Sequence, residues 1–367
     1  MFRTAVGIYI KEYVKQLVAH FDITLAFSLS DAKEAIIYSR FVDESFNRQP
    51  LHLLPLHSSP SIHFYFNLAR HVNGGDYDII DLHDCPYPLV VRLLSNNLAN
   101  RTIITPHFMT ECSLRLRFHQ KQNVMHDIVT GLDLQYRIVA RCAVFVAISE
   151  YMKGVIKRRW GAKRVVLIPN PVDTDVFRPM KVSSEIRGFP ILLFVGRPRP
   201  TKGIEVLINV MRVLRKRYPG SKLIVVGGEN PKLVKLAKAL RVEDNVMLLG
   251  EASIERLVEL YNLCDIVITA SYWESFCRPI IEGMSCGKPV VCRYVYANVE
   301  HVENSGAAIG FKSDDPYEIV NAIEKALENY DELSKNARKY ALKFDSKVIA
   351  GKWLKLYKLL AENASKV

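Results

Sequence analysis

Two cations stand in a glycine-containing turn between a predicted strand and a predicted helix. The apolar run 191–195 leads into Gly196 and Arg197, and Lys202 and Gly203 directly precede a helical pattern. Backbone N–H groups and the positive end of a helix dipole at such a turn bind phosphate, and each cation adds charge-assisted hydrogen bonds. The turn is therefore predicted to bind a diphosphate. It contains neither the P-loop pattern nor the G-x-G-x-x-G fingerprint, so NAD is not expected.

Two carboxylates follow another predicted strand, Ile266–Thr269. Pro279 suits the first turn of a helix, which places Glu282 about one turn inside that helix and Glu274 in the preceding loop. Ligands of parallel sheets collect at the carboxyl ends of the strands, so both carboxylates are predicted to face that edge. One would bind ribose hydroxyls and the other a sugar. Alternatively, one of the two glutamates is only a helix cap and has no role in binding or catalysis.

The elements that must position these residues alternate along the whole chain. Short β-branched runs are followed by longer helical patterns, which is typical of parallel sheets wound with helices. The proline-rich segment 169–179 predicts a linker. The sequence therefore predicts an α/β protein with doubly wound, Rossmann-like domains over 1–178 and 179–345 and a central cleft between them. A C-terminal helix over 346–367 is expected to pack back on the first domain.

The remaining predicted elements are given by their apolar patterns. The predicted strands are Ile23–Phe27, Asp78–Leu82, Thr102–Thr105, Val144–Ile148, Val165–Ile168, Lys222–Val226, Val246–Leu248 and Pro289–Cys292. The predicted helices include Tyr9–Phe21, Ser61–His71, Leu89–Ala99, Val124–Arg141, Ile204–Tyr218, Pro231–Leu240, Ile254–Leu263 and Pro316–Glu328.

The composition excludes fibrous and disordered chains, because 49% of the 367 residues are hydrophobic and 24% are charged. No apolar stretch approaches the ~18–20 residues of a membrane span, and Lys11 and Glu12 interrupt any signal-peptide core. We therefore expect a cytoplasmic protein. The seven cysteines form no C-x-x-C pair and the ten histidines no H-x-x-x-H pair in a helical pattern. Neither a disulfide framework nor a metal site is expected.

The net charge of +12 is unevenly distributed, because residues 1–100 sum to −2 and residues 101–180 to +7, with one basic cluster and no acidic residue between positions 151 and 164. Such a cluster suits a phosphate-rich partner or the anionic inner face of a membrane. A solvated helix face in a heat-adapted organism explains it equally well. No zinc finger, helix-turn-helix or RNA-binding pattern occurs, so nucleic acid is not expected as a partner. The cluster comprises Lys153, Lys157, Arg158, Arg159, Lys163 and Arg164.

Several of these segments together resemble a known family, the retaining nucleotide-sugar glycosyltransferases of the GT-B fold with an E-x7-E motif (glycosyltransferase family 4-like, glycosyl transferases group 1). The segments that carry the resemblance are Phe194–Gly203, Leu223–Gly228, Val246–Gly250, Glu274–Glu282 and Ser285–Val291, with Asp81–Asp84, Thr105–His107, Ala147–Glu150 and Ile168–Asp173 before them. The resemblance implies an acceptor-binding domain over 1–178 and a nucleotide-sugar domain over 179–345.

The resemblance also implies a role for individual residues. Arg197 and Lys202 match the cations at the donor diphosphate, and Glu282 matches the residue that holds the ribose hydroxyls. Glu274 matches the carboxylate at the donor sugar, and His107 matches a histidine that contacts that sugar near its anomeric centre. Both are expected to be catalytic. Further donor-binding positions are Gly196, Phe276, Cys277 and Arg278; acceptor-side positions are Gly7 and His83, the latter equally compatible with a surface role.

The activity implied by the resemblance is metal-independent transfer of a sugar, with retention, from a nucleoside diphosphate to a hydroxyl acceptor. No cofactor is required. The acceptor is lipid-linked if the basic residues, including those in the segment 113–121, hold the protein on a membrane, and soluble if they do not. Two alternatives are a nucleotide-sugar epimerase on the same fold and a non-catalytic binding subunit.

Three positions depart from the family pattern. Ser275 and Cys277 replace glycines around Phe276, and Tyr296-Ala297 stands where two glycines are usual. At the start, Met1–Val6 leaves little room for the first strand of the fold. Either Phe2–Val6 forms a short strand or the natural protein carries about 10–15 more residues, which is the length of a strand and a loop.

Overall fold

The computed structural model describes residues 23–26, 37–40, 73, 79–83, 88–107, 132–183, 185–228 and 230–362. The chain divides into two compact units, 1–171 together with 346–367, and 172–345. Several sequence predictions lie outside the described residues: Gly7, the strand at 2–6, the helices at 9–21 and 61–71, and the basic segment 113–121.

The N-terminal unit contains a parallel sheet of four described strands. These are β3 (Ile80–His83), β4 (Thr102–Thr105), β5 (Val144–Ala147) and β6 (Val165–Leu167), numbered after the antiparallel pair β1 (Ile23–Ala26) and β2 (Ile37–Arg40). The strand order is β3-β4-β5-β6. Every residue of β4 and β5 is buried, as expected for parallel strands covered on both faces.

The described helices of this unit include the last helix of the chain. They are α1 (Asn96–Asn100), α2 (Leu132–Val139), α3 (Glu150–Trp160) and α11 (Ser346–Glu362). Trp353 and Tyr357 of α11 pack in one apolar cluster with Ile103 of β4 and Val144 of β5. The final helix therefore completes the core of the N-terminal unit.

The continuous helix predicted over Leu89–Ala99 is wrong. The chain forms a 3-10 turn at Pro88–Leu93 and then the short helix α1. Ser95 separates the two, because its hydroxyl accepts a hydrogen bond from the backbone N–H of Leu98 and its own backbone is not helical.

The C-terminal unit contains a six-stranded parallel sheet. Its strands are β7 (Ile191–Val195), β8 (Lys222–Val226), β9 (Val246–Leu249), β10 (Ile266–Thr269), β11 (Val290–Arg293) and β12 (Ala308–Phe311), in the order β12-β11-β10-β7-β8-β9. Its helices are α4 (Ile204–Arg217), α5 (Pro231–Ala239), α6 (Ile254–Leu263), α7 (Arg278–Ser285), α8 (Ala297–Ser305), α9 (Pro316–Glu328) and α10 (Tyr330–Ala341). The strand order reverses beside β7, which is where ligands of doubly wound sheets bind.

Three elements of this unit were not predicted from the sequence: β12, α8 and α10. β12 is a short edge strand that contains Gly310, and α10 is mostly polar, so neither contains a distinct apolar run. The segment 169–179 contains the boundary between the units, after Pro171. Its later part packs in the C-terminal unit, where Val172 N–H donates to the carbonyl of Phe344 and Phe177 contacts Tyr261.

Among the described helices, none combines the length and the apolar character needed to cross a bilayer.

Candidate functional site

The loop after β7 brings Lys202 to the carboxyl edge of the sheet. A 3-10 turn, Pro200–Lys202, ends at Gly203, whose φ is +64°. A Cβ at Gly203 would lie 2.4 Å from the carbonyl oxygen of Ala270, so only glycine permits this approach. The N-terminus of α4 and Lys202 therefore lie against the end of β10. Arg197 is exposed in the same loop.

Lys202 is paired with the first glutamate of the motif. Its Nζ lies 2.6 Å from Oε1 of Glu274, and Glu274 is only 8% exposed. Burial by itself lowers the pKa of the lysine, but the Glu274 carboxylate opposes it and the net pKa of Lys202 is raised. Lys202 is therefore a fixed cation at the N-terminus of α4, where an anion is also favoured by the helix dipole.

Two hydrogen bonds from α8 fix the loop that carries Glu274. Ala297 N–H donates to the carbonyl of Glu274 at 3.3 Å, and Nε2 of His301 donates to the carbonyl of Phe276 at 2.6 Å. The hydroxyl of Tyr340 contacts the other ring nitrogen of His301 at 3.3 Å. Burial lowers the pKa of His301 to about 4, so the ring is neutral. His301 was not predicted from the sequence, because a single histidine in a helix has no distinctive spacing.

The other end of the same loop is fixed by Arg293, which the sequence analysis also missed. Its Nε donates to the carbonyl of Ala270 at 3.0 Å, and its guanidinium lies 4.4 Å from the ring centroid of Tyr272. Asp314 accepts hydrogen bonds from both Arg293 and Tyr272. The residues on either side of Glu274 are therefore anchored, which restricts where its carboxylate can point.

Glu282, the second glutamate of the motif, is buried in α7. Gly283 beside it lets the helix approach β10, since a Cβ there would lie 2.5 Å from Cγ2 of Val267. Tyr261 donates to Oε2 of Glu282 and Nε of Arg278 donates to Oε1, both at 2.8 Å. Burial, and then the charge of Glu282, raise the pKa of Tyr261 well above its usual value, so its hydroxyl remains a donor.

Cys277 and Tyr296 adopt backbone conformations that favour glycine, with φ of +61° and +50°. These are two of the positions where the sequence departs from the glycines of the family pattern. Burial, and then the Glu274 carboxylate, raise the pKa of the Cys277 thiol well above its usual value. The thiol is therefore protonated at neutral pH. The Tyr296 ring lies 6.4 Å from the ring of Trp273.

A second set of polar side chains lies in the N-terminal unit. His83 ends β3, and His107 follows β4, the neighbouring strand, whose Thr105 is in register with His83. Nδ1 of His83 lies 3.0 Å from Nε2 of His107, and Nε2 of His83 lies 3.2 Å from Oδ2 of Asp81. Burial, and then the neighbouring His83, lower the pKa of His107 well below its usual value.

The predicted site residues thus fall into separate sets. Lys202 contacts Glu274, Arg278 contacts Glu282, and His83 contacts His107. Four residues of these networks were not predicted from the sequence, because their contacts are distant in the chain: Tyr261 bonds Glu282, His301 bonds the Phe276 carbonyl, Arg293 bonds the Ala270 carbonyl, and Tyr357 bonds Asp81. Within the described part of the chain, no cluster of three His, Cys, Asp or Glu side chains is arranged to hold a metal ion.

The basic cluster on and after α3 is divided between structural and exposed residues. Nζ of Lys153 bonds Glu150 at 3.0 Å, and Arg164 donates to the carbonyls of Asn100 and Cys142. Lys157, Arg158 and Lys163 are exposed, and Arg164 is exposed although it makes these two hydrogen bonds.

Comparison with known families gives a match over most of the chain. Residues 178–344 match the family described as Glycosyl transferases group 1, and residues 6–176 match Glycosyltransferase Family 4. The D-inositol 3-phosphate glycosyltransferase of Acidothermus cellulolyticus is 30% identical over 200 residues, which cover 49% of this chain and 45% of that protein. The chain spans about half the length of the curated relatives that it matches.

Solved structures give the same fold. Sucrose-phosphate synthase from Thermosynechococcus elongatus matches with a TM-score of 0.67 and 21% identity, over 81% of this chain and 77% of that one. Anabaena HepE, solved in complex with UDP, matches with a TM-score of 0.54 and 18% identity, over 79% and 100% of the two chains. The predicted α/β class and GT-B fold are confirmed.

Proposed function

The chain belongs to the glycosyl transferases of group 1, and we propose that it moves a hexose from a nucleoside diphosphate to a hydroxyl acceptor with retention. The bond between the anomeric carbon and the diphosphate oxygen breaks, and the acceptor oxygen bonds to that carbon on the same face. The acceptor proton leaves with the nucleoside diphosphate. The observation that carries this proposal is the Lys202–Glu274 pair at the N-terminus of α4.

The leaving diphosphate gains charge as the glycosidic bond breaks. Lys202, Arg197 and the N-terminus of α4 supply fixed positive charge for it, and such preorganised charge is usually the largest contribution to catalysis. Because these groups belong to the protein, we propose that the reaction requires neither a metal ion nor a cofactor. That a solved relative of the same fold holds UDP supports a nucleotide-sugar donor.

Glu282 is proposed to hold the ribose hydroxyls. Each carboxylate oxygen accepts more than one hydrogen bond, so the bonds from Tyr261 and Arg278 orient the carboxylate and leave acceptor capacity for ribose. Glu274 is proposed to contact the donor sugar and stabilise positive charge at the anomeric carbon. His107, as a neutral ring, is proposed to contact the sugar near that carbon.

A thermal-shift panel of nucleotide sugars, followed by product analysis, tests this function. A ligand at about 100 times its dissociation constant stabilises the protein by about 2.7 kcal/mol, so the correct donor raises the melting temperature. Lys202→Ala should strongly reduce the shift, and Lys325→Ala, which removes an exposed lysine of the same unit, should keep it. No response to any nucleotide sugar would contradict the proposal.

Product analysis distinguishes the alternatives, using a donor of known anomeric configuration with and without lipid-linked and soluble acceptors. Glycosyl transfer releases nucleoside diphosphate only when the acceptor is present, and the anomeric coupling constant of the product reports retention. Conversion of the donor to its epimer without acceptor would identify an epimerase. Donor binding without either product would identify a binding subunit. A rate abolished by EDTA and restored by a divalent cation would contradict metal independence.

We also propose that the exposed cations Lys157, Arg158 and Lys163 hold the protein on anionic membrane surfaces, which favours a lipid-linked acceptor. Each Lys or Arg near such a surface contributes about 1 kcal/mol, and salt screens the attraction. Binding to anionic vesicles at low salt should be lost at high salt and in the variant Lys157→Glu/Arg158→Glu. Absence of vesicle binding at low salt would leave a soluble acceptor as the correct choice.

A further inference from the structure

A buried arginine at the end of β11 joins the loop after β10 to the loop after β12. The Arg293 side chain is 6% exposed, and its guanidinium lies 4.4 Å from the ring centroid of Tyr272 and 5.3 Å from that of Phe311. Its Nε donates to the carbonyl of Ala270 at 3.0 Å, and its Nη2 donates to Asp314. Because a guanidinium stays charged even when it is buried, it requires such partners.

This arginine holds the segment 270–272 at both ends. The backbone carbonyl of Ala270 accepts from Arg293, and the Tyr272 ring lies against the guanidinium. The Tyr272 hydroxyl donates to Oδ2 of Asp314 at 2.8 Å, while the other oxygen of Asp314 accepts from Arg293. One residue of the segment is therefore fixed through its backbone and the other through its side chain.

The turn that carries Lys202 lies on the same segment. The backbone N–H of Tyr272 donates to the carbonyl of Thr201 at 2.9 Å. On the other side of Lys202, Gly203 lies so close to Ala270 that a Cβ would be 2.4 Å from the Ala270 carbonyl oxygen. Both chain neighbours of Lys202 therefore contact a residue that the buried guanidinium holds directly.

We propose that Arg293 is a positioning residue for Lys202, because by fixing Ala270 and Tyr272 it determines where the Lys202 ammonium lies. The flexible stem of a lysine places its ammonium reproducibly only when the backbone that carries it is fixed. The planar fork of arginine suits this task, since it donates at its edge while its face contacts an aromatic ring. That the ammonium binds a diphosphate rests on the proposed function; its placement by Arg293 does not.

The rate at which acetic anhydride acetylates Lys202 tests the placement without any ligand. Mass spectrometry of the full-length protein at neutral pH measures this rate, which should be slow in the wild type because the ammonium is bonded to Glu274. Arg293→Met keeps an unbranched side chain and removes the guanidinium, so Lys202 should react faster by about threefold or more, which corresponds to about half a pKa unit. The exposed Lys325 is the internal reference and should keep its rate.

The direction of the change separates placement from charge. Loss of a neighbouring positive charge would by itself favour the protonated ammonium of Lys202 and slow its acetylation. Arg293→Lys keeps the charge but not the planar fork, so it should also speed the acetylation of Lys202. An unchanged or slower rate at Lys202 in both variants would overturn the proposal.

A double-mutant cycle shows whether Arg293 acts through Lys202. Calorimetry with inorganic pyrophosphate should give a dissociation constant about threefold or more higher in Arg293→Met than in the wild type, and a change of less than about twofold when the same substitution is made in Lys202→Ala. Equal weakening in both backgrounds would overturn the proposal, because Arg293 would then act on the ligand or on the fold. Faster acetylation of Lys202 in a protein that binds no pyrophosphate would contradict only the proposed function.

Asp314→Ala provides a second variant in case Arg293→Met does not fold. The Asp314 side chain is 53% exposed, yet it bonds both Arg293 and Tyr272, so its loss should speed the acetylation of Lys202 by a smaller factor. Arg217→Met is the matched control, because Arg217 pairs with Glu324 at the opposite end of α4. It should leave both the acetylation of Lys202 and the affinity for pyrophosphate unchanged. Equal effects of Arg217→Met and Arg293→Met would overturn the proposal.

Discussion

Lys202 and Glu274 are 72 positions apart in the chain, yet their charged groups are separated by only 2.6 Å in the C-terminal unit. The contact joins the loop after β7 to the loop after β10, two adjacent strands of the sheet. A lysine ammonium has three donors, so it can bond a carboxylate and a phosphate oxygen together. In the proposed site, the pair would orient Lys202 before a diphosphate binds, which reduces the entropy lost on binding.

Removal of Lys202 should weaken the binding of nucleoside diphosphate. Each charge-assisted hydrogen bond contributes ~1.5–3 kcal/mol, and Lys202→Ala should reduce affinity by this amount. Arg197→Ala should act in the same direction with a smaller effect, because Arg197 is exposed and screened by solvent. Isothermal titration calorimetry measures both. Lys325→Ala serves as the matched control, and unchanged affinity in Lys202→Ala would disprove the site.

Glu274→Gln should separate turnover from diphosphate binding. The proposed contact of Glu274 is with the sugar, so kcat should fall while affinity for the nucleoside diphosphate stays the same or increases, since Lys202 loses its competing partner. His107→Ala should likewise lower kcat without weakening the binding of nucleoside diphosphate. Steady-state kinetics and calorimetry on the same preparations test it, with the exposed Glu332→Gln as the control. Equal loss of affinity and turnover would contradict the assigned roles.

The sequence predicted those parts of the site whose signal is local. Lys202 and Glu282 could be found because a strand, a glycine turn and a helix start stand next to each other in the chain, and that order fixes which end of the sheet the turn occupies. The same reasoning predicted most strands of the C-terminal sheet. It failed for Leu89–Ala99, where the Ser95 cap interrupts an apolar pattern that continues through it.

The residues that orient the site were not predictable in the same way. Tyr261 lies 21 positions from Glu282, His301 lies 25 positions from Phe276, and Tyr357 lies 276 positions from Asp81. Each pairs with a residue on another element of the fold. Such pairs are determined by tertiary packing, which a pattern within one segment does not encode.

At position 277 the glycine variant should be more stable than the alanine variant, which is the reverse of the usual order. At ordinary positions glycine is less stable than alanine by ~0.5–1 kcal/mol, but a side chain in the left-handed region costs about 1–2 kcal/mol. Since φ of Cys277 is +61°, Cys277→Gly should be more stable than Cys277→Ala, by about 0.5–1 kcal/mol. Denaturant unfolding of the two variants measures the difference. At position 322, inside α9, the ordinary order of stability should hold, so the wild-type alanine should be more stable than Ala322→Gly.

The Tyr261 hydroxyl should contribute to the binding of ribose and not to the binding of phosphate. Tyr261→Phe keeps the ring beside Phe177 and removes only the hydrogen bond to Glu282. Without it the carboxylate is less well oriented, and affinity for a nucleoside diphosphate should fall by ~0.5–1.5 kcal/mol. Calorimetry with inorganic pyrophosphate, which lacks ribose, is the internal control and should give an unchanged dissociation constant. A parallel loss for both ligands would show that Glu282 acts on the fold and not on ribose.

His301 should make the stability of the C-terminal unit depend on pH. Its pKa is about 4 in the folded protein, against 6.5 for an unperturbed histidine, because burial disfavours the charged ring. The unfolded chain therefore binds more protons between these two values. The stability that neutral His301 contributes is complete above about pH 6.5 and decreases by about 1.4 kcal/mol per pH unit as the pH falls toward 4.

The variant His301→Gln isolates this dependence. Its amide can still donate to the carbonyl of Phe276, but it does not titrate, so its stability lacks the decrease below pH 6.5. Urea unfolding of both proteins from pH 7.5 to 4.5 should show the advantage of the wild type over His301→Gln shrinking by about 1.4 kcal/mol per pH unit below 6.5. Contributions from His107 and all other groups are common to both proteins and cancel in the difference. An advantage that stays constant over this range would mean that the pKa of His301 is the same in the folded and the unfolded protein, so the buried ring would carry a charge below about pH 6.5.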